Sequence, residues 1–184
     1  KETWIIKSEI SGYLNDLEIR KWFLSNKKNN IKLNCKITNI LDKDYSLILD
    51  ILEFNVDSKE INKAFPNFFG SILPSSLRSF GRFNIDGLIS VNPDDVKSKF
   101  NFQTKQGLLI SDLNIFDFKN IDNASYIGEI KGVNLDLSSF LNLNYITKSD
   151  FNFKVEGKGF TKEYLNSSLT GSIKNIELYN YKLQ

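Results

Sequence analysis

The sequence predicts a mainly β protein: an elongated, curled, antiparallel-rich sheet with one apolar face, carrying a short helical insert near 57–80. Three observations predict it. Apolar and polar residues alternate with period two over most of the chain, the pattern of strands that bury one face. The alternating runs recur at the spacing of roughly 8–12 residues seen in all-β folds, which gives about eleven strands. The polar positions are Asn, Lys, Asp, Glu and Ser, so the sheet keeps a wet side. Antiparallel pairing suits that, whereas fully buried parallel strands read as unbroken apolar runs. A closed β-sandwich satisfies the same pattern and stands as the alternative.

The elements follow in order. Strand candidates at 3–12 and 16–24 open the chain. Ile31, Leu33, Cys35 and Ile37 then alternate with Lys32, Asn34, Lys36 and Thr38. Segment 45–56 is the most continuously apolar, with Leu47, Ile48, Leu49, Ile51 and Leu52 close together. Phe83, Ile85, Gly87, Ile89 and Val91 alternate mostly with Asn84, Asp86 and Ser90, and Phe100 and Phe102 with Lys99, Asn101 and Gln103. Segments 107–118 and 125–134 come next. Phe151, Phe153 and Val155 alternate with Asn152, Lys154 and Glu156, and 167–174 and 176–183 complete the series.

Asp57 to Phe80 breaks the alternation and reads as short helices. Asp57 and Glu60 have the N-cap and N3 spacing of a capping box. Ile61, Ala64, Phe65 and Phe68 fall on one helical face, Pro66 ends or kinks the first helix, and Pro74 opens a second that stops at Gly81. This insert is either a lid over the core or an apolar element that docks on a membrane, a lipid or a partner. A further helical turn is possible at Asp136–Leu141. Phe83-x-Ile85-x-Gly87 and Phe153-x-Val155-x-Gly157 share an ending, echoed at Ile10-x-Gly12 and Ile130-x-Gly132. These are either repeated units stacked into an elongated sheet or glycines that mark strand ends and bends.

Composition narrows the function. Of 184 residues, 15 are Phe and 7 Tyr, while Lys and Arg (24) nearly balance Asp and Glu (22). With no basic block or aromatic-plus-Arg platform, nothing points to nucleic acid. No apolar run approaches the roughly 20 residues of a membrane span, and no signal peptide is visible. The chain starts at Lys1, has no Met and stops at Gln184 after a strand-like run, which reads as an internal part of a longer protein.

The sequence offers no reaction chemistry. It contains no His, which removes a Ser-His-Asp triad, a Cys-His dyad and His-based zinc sites from this segment. Cys35, the single cysteine, lies on the apolar side of its strand and reads as a small core residue. Asp42, Asp44 and Ser46 resemble the start of a calcium loop, but Leu47 stands where the turn glycine belongs. Asp94 and Asp95 follow Pro93 as turn residues. Gly157-Lys158-Gly159 lacks the rest of a phosphate loop. Asn123-Ala124-Ser125 and Asn166-Ser167-Ser168 match a glycosylation sequon that matters only in a eukaryotic secretory setting. The expectation is a protein that is not an enzyme and uses no cofactor or metal.

Two stretches resemble a known family. Phe65-Pro66 followed by Leu73-Pro74-Ser75-Ser76-Leu77-Arg78-Ser79-Phe80-Gly81-Arg82-Phe83 and Gly87 resembles an internal block of TamB-like proteins of Bacteroidota, in the AsmA-like superfamily. Val155-Glu156-Gly157-Lys158-Gly159-Phe160-Thr161, with Leu165, Leu169-Thr170-Gly171-Ser172-Ile173 and Tyr179-Asn180-Tyr181-Lys182, resembles a second. Between them Val133-Asn134-Leu135-Asp136-Leu137-Ser138-Ser139-Phe140-Leu141 resembles a strand leading into a short helix. The similarity spans residues 45–184 and rests on order and spacing.

The resemblance implies a β-taco, a sheet curled lengthwise around an apolar groove. It implies a parent protein anchored in the inner membrane of a Gram-negative bacterium, crossing the periplasm to an outer-membrane barrel protein related to TamA. The implied role is conduction of phospholipids, whose acyl chains are the cargo. The alternatives are a scaffold for outer-membrane protein assembly through strand edges and a structural β-sandwich. On the first reading the groove is lined by Ile31, Leu33, Ile37, Leu47, Leu49, Ile51, Phe65, Phe68, Leu77, Phe83, Ile85, Ile89, Phe100, Phe102, Phe151, Phe153 and Val155. Each buried methylene contributes about 0.8 kcal/mol, so a lipid chain favours a lining that stays apolar along its length.

Overall fold

The computed structural model describes residues 3–60, 81–138, 148–161, 163–178 and 181–183. Its strands are β1 (Ile5–Gly12), β2 (Leu17–Ser25), β3 (Asn30–Thr38), β4 (Ser46–Asp57), β5 (Arg82–Val91), β6 (Asp95–Thr104), β7 (Gly107–Phe116), β8 (Ser125–Asp136), β9 (Lys148–Lys158), β10 (Asn166–Lys174), β11 (Ile176–Leu178) and β12 (Tyr181–Leu183). The first ten form one sheet in the order β1-β2-β3-β4-β5-β6-β7-β8-β9-β10, every pair antiparallel. The sheet does not close, and its stacked strands extend roughly 45 Å at a spacing of about 4.8 Å.

Local chemistry explains the simple up-and-down order. Between β1 and β2, Tyr13 and Asp16 exchange backbone hydrogen bonds of 2.8 and 3.0 Å. Between β2 and β3, Asn26 Oδ1 accepts the amides of Lys28 (2.9 Å) and Asn29 (2.7 Å), an Asx turn. Between β6 and β7, Thr104 Oγ1 accepts the Gln106 amide at 2.9 Å, and Gly107 takes φ 125°, which disfavours any side chain. Such tight reversals force antiparallel neighbours.

The sheet carries β-bulges, at which one strand gains a residue against its partner. Ile19 and Trp22 stand opposite Cys35 and Leu33, Ile51 and Phe54 opposite Gly87 and Ile85, and Gly132 and Leu135 opposite Phe151 and Ser149. Two bulge residues adopt the left-handed conformation, Lys21 (φ 50°) and Asn134 (φ 47°). The freed amide of each is held from the adjacent strand, Lys21 by Asn34 Oδ1 at 2.9 Å and Asn134 by Asp150 Oδ1 at 2.7 Å. That hydrogen bond, with a second from Asn175 Nδ2, holds the Asp150 carboxyl below the usual range. Bulges raise local twist and bend a strand.

The deepest packing lies near the strand ends that lead into the connections β2–β3, β4–β5 and β6–β7. Leu24, Ile31, Val56, Phe83 and Phe102 form the buried cluster, with Trp4, Trp22, Leu33, Phe54, Ile85, Phe100 and Leu109 against it. The Phe83 ring stacks on Phe54 (6.0 Å) and tilts against Phe102 (5.5 Å). Asn29, buried beside this cluster, accepts the Asp57 amide at 2.7 Å and so ties the β2–β3 turn to the end of β4.

The expected fold class holds, and the described residues make no β-sandwich: outside the ten-stranded sheet the only pairing among them is β11 with β12. Three details differ from expectation. Segment 176–183 is two short strands in their own sheet rather than one more strand of the main one. Asp95 is not a turn residue but the first residue of β6, opposite Phe116. The capping box is half formed. Asp57 Oδ1 accepts the amides of Lys59 (3.0 Å) and Glu60 (3.3 Å), but Glu60 pairs with Lys28 at 2.5 Å. Residues 58–60 are helical, and so are 137–138, where Asp136 Oδ1 accepts the Ser138 amide at 3.0 Å. The rest of the insert, with Phe65, Phe68 and Leu77, lies outside the described residues.

Candidate apolar groove

In an antiparallel sheet directly opposed residues share a face, so the register gives the surface residue by residue. One row runs across all ten strands: Ile6, Leu24, Ile31, Phe54, Ile85, Phe102, Leu109, Gly132, Phe151, Ile173. The next runs from β2 through Trp22, Leu33, Ile51, Gly87, Phe100, Ser111, Ile130, Phe153 and Gly171. A third takes Ile10, Ile19, Cys35, Leu49, Ile89, Ser98, Leu113, Gly128, Val155 and Leu169. A fourth takes Gly12, Leu17, Ile37, Leu47, Val91, Val96, Ile115, Tyr126, Gly157 and Ser167. Every expected lining residue within the described part falls in these rows or, for Phe83, just beyond them opposite Val56 and Thr104.

Two of the glycines in these rows, Gly132 and Gly157, are seats for neighbouring aromatic side chains. A Cβ on Gly132 would lie 2.2 Å from Phe151 Cε1, and one on Gly157 2.5 Å from the Tyr126 hydroxyl oxygen. Interior glycines covered by a cross-strand aromatic ring keep a row apolar where a side chain is missing. Of the four repeated glycine endings, Gly12 closes β1 and Gly87 and Gly132 stand at bulges, as expected of glycines that mark strand ends and bends.

The rows are half-buried in their middle and open at their ends. Ile31 is 1% exposed and Phe102 4%, whereas Ile6, Ile10 and Leu169 reach 65%, 63% and 57%. The opposite face carries the polar rows, with ion pairs Lys32–Glu53 (2.8 Å) and Lys99–Asp112 (3.4 Å) between adjacent strands. The Lys32 ammonium holds the Glu53 carboxyl below its usual range. Two open depressions of about 420 and 490 Å³ cross β8–β10, with Lys131, Asn152 and Ser172 in one and Glu129, Lys154 and Glu156 in the other. They belong to the polar face and show no convergent set of reactive groups.

Polar groups on the apolar face are few and small. Ser98 donates to the Leu113 carbonyl at 3.4 Å, while the Ser111 hydroxyl, almost fully buried, has no partner among the described residues. Cys35 sits between Ile19 and Leu49, and burial pushes its thiol up, so it is a poorer nucleophile than a free cysteine. Among the described residues no group of Asp, Glu or Cys could hold a metal ion, and no helix is long and apolar enough to cross a membrane.

The sequence reading missed part of this face. Trp22, Phe54, Leu109, Leu113 and Ile130 lie on it but were not expected to line it. The first two sit at bulges, where the period of two slips by a residue, and Leu109 lies in the run Leu108-Leu109-Ile110, which has no alternation to read. Also unanticipated is a set of exposed apolar side chains on the turns at one end of the strands: Tyr13 and Leu14, Ile40 and Leu41, Ile121, and Phe160 with Tyr164 and Leu165. No family model, curated protein or solved structure matches the chain.

Proposed function

We propose that this chain is a non-enzymatic segment of an apolar conduit, in which phospholipid acyl chains lie against the apolar face of the sheet. The resemblance to TamB-like proteins sets this in the periplasm, in a bridge from the inner membrane to an outer-membrane barrel partner. The observation that carries the reading is the set of apolar rows crossing all ten strands with no second layer over them among the described residues. A sheet that only needed a core would bury those rows against a packed partner layer. Here the polar interruptions are a few small hydroxyls, which cost a sliding chain little compared with the roughly 0.8 kcal/mol gained per covered methylene.

Photo-crosslinking tests the proposal. A photoreactive residue at Phe100, Leu113 or Phe153 should capture phospholipid in cells, and one at Lys99, Asp112 or Lys154 on the polar face should not. Capture of protein alone from the apolar positions would refute the conduit.

A further inference from the structure

We propose that the turns at one end of the strands form a docking rim for a cationic polypeptide with apolar anchors, a site separate from the apolar rows. The connections β1–β2, β3–β4, β5–β6, β7–β8 and β9–β10 all lie at this end. Turn tips are ordinarily filled by Gly, Pro, Asn, Asp and Ser. Here Tyr13 and Leu14 are 85% and 81% exposed and Leu41 is 71% exposed, with Ile40 beside it. Ile121, Phe160, Tyr164 and Leu165 form a second exposed group further along the rim. The turns that carry Ile40, Leu41 and Ile121 have paired strands on both sides, so their exposure does not arise from an edge of the sheet.

Hydrogen bonds hold both groups in place. Asn15 clasps the first two turns: its carbonyl accepts the Ile40 amide at 3.2 Å, its Oδ1 the Leu41 amide at 3.1 Å, and its Nδ2 donates to Asp42 Oδ2 at 3.1 Å. In the second group the Ile121 carbonyl accepts the Phe160 amide at 2.9 Å, Thr161 donates to Asp122 Oδ1 at 2.7 Å, and the Phe160 ring lies 4.8 Å from that of Tyr126. A surface ordered in advance loses little entropy on binding, and exposed aromatic side chains are typical anchors of a protein contact. Charge selects the partner. The five connections at this end contain seven Asp or Glu and three Lys, whereas the four at the other end contain six Lys or Arg and one Glu. Asp16, Asp42 and Asp44 flank the first group, and Asp117, Asp122 and Glu163 the second. Acidic residues around apolar anchors complement Lys or Arg placed around apolar side chains. They repel an anionic membrane surface, on which docking elements carry Lys and Arg instead, and they repel the same rim of a second copy.

Fluorescence anisotropy tests the rim with a labelled amphipathic peptide of Leu and Lys and its Leu–Glu counterpart. The full chain should bind the first and not the second. Raising the salt from about 0.1 to 1 M, which cuts the screening length from about 10 to 3 Å, should weaken the complex. Leu14→Ser with Leu41→Ser should lower the affinity at least about tenfold, and so should Asp44→Lys with Glu163→Lys. Leu88→Ser with Ile127→Ser, also exposed but on the polar face, should leave it unchanged. All three variants should keep the far-UV circular dichroism of the parent chain. A photoreactive residue at Leu14 or Phe160 should capture the peptide and one at Phe100 or Leu113 should not, so the rim and the conduit fail separately. No binding of the Leu–Lys peptide, equal affinity for both peptides, binding that the rim substitutions leave intact, or capture only from Phe100 or Leu113 overturns the proposal. So does cosedimentation with phospholipid vesicles that Leu14→Ser with Leu41→Ser abolishes, which would make the rim a membrane contact.

Discussion

Gly132 and Phe151 offer a sharp test of the register on which the apolar face depends. A methyl group at 132 would sit 2.2 Å from Phe151 Cε1 and 2.6 Å from Cζ. Non-bonded carbons need about 3.5–4.0 Å, so the ring must move by more than about 1 Å. It is 8% exposed and stacks on Phe153 at 5.3 Å, so its freedom to move is small. Overpacking of this kind costs about 1–3 kcal/mol, and the entropy gained by replacing a strand glycine with alanine offsets about 0.5–1 kcal/mol. Gly132→Ala should therefore destabilise by about 1 kcal/mol. Phe151→Ala alone should cost about 3 kcal/mol. In the Phe151→Ala background the added methyl meets no ring, and Gly132→Ala should become neutral or slightly stabilising, a coupling of about 1–2 kcal/mol. Urea unfolding followed by far-UV circular dichroism measures all four corners of the cycle. Equal effects of Gly132→Ala in both backgrounds would show that the ring does not lie over Gly132, and the β8–β9 register would be wrong.

Two further expectations follow from the same face. Ser111→Val should be neutral or stabilising by about 1 kcal/mol in the same assay, because removing a buried hydroxyl without a partner relieves its desolvation cost; a loss above about 2 kcal/mol would show that the hydroxyl is satisfied after all. Cys35 should be alkylated more slowly in the folded chain than in urea at pH 8, since thiols react as thiolates and burial raises this one above its ordinary 9.0. The folded state holds that proton more tightly, so its stability contribution is full below the ordinary value and falls as pH rises through the folded value. Equal folded and unfolded rates at pH 8 would place Cys35 in water.

The sequence carried the strands and their one-sided character because period two is a local property: Phe83, Ile85, Ile89 and Val91 reveal their face without knowledge of any neighbour. It did not carry the register. That Gly87 faces Ile51 and Phe100, or Gly132 faces Phe151, depends on which residues stand opposite, and so the same glycines read equally well as repeat units or strand ends. Bulges were hidden for a related reason. Ile19 and Trp22 share a face only because an extra residue intervenes, with Lys21 in a left-handed conformation held by Asn34 on the next strand. The Asp57 cap was legible from spacing alone, whereas the preference of Glu60 for Lys28 required the β2–β3 turn to be placed beside it.

Trp22 provides the most direct measurement of whether acyl chains lie on the apolar face. It belongs to the apolar rows, opposite Leu33, while its neighbour Phe23 points to the other side, opposite Lys32. In a Trp4→Phe chain, phospholipid brominated along its acyl chains should quench the Trp22 fluorescence. Exchanging the two residues, Trp22→Phe with Phe23→Trp, moves the indole through the sheet and should abolish the quenching. Absence of quenching at Trp22, or equal quenching from both sides, would contradict the account.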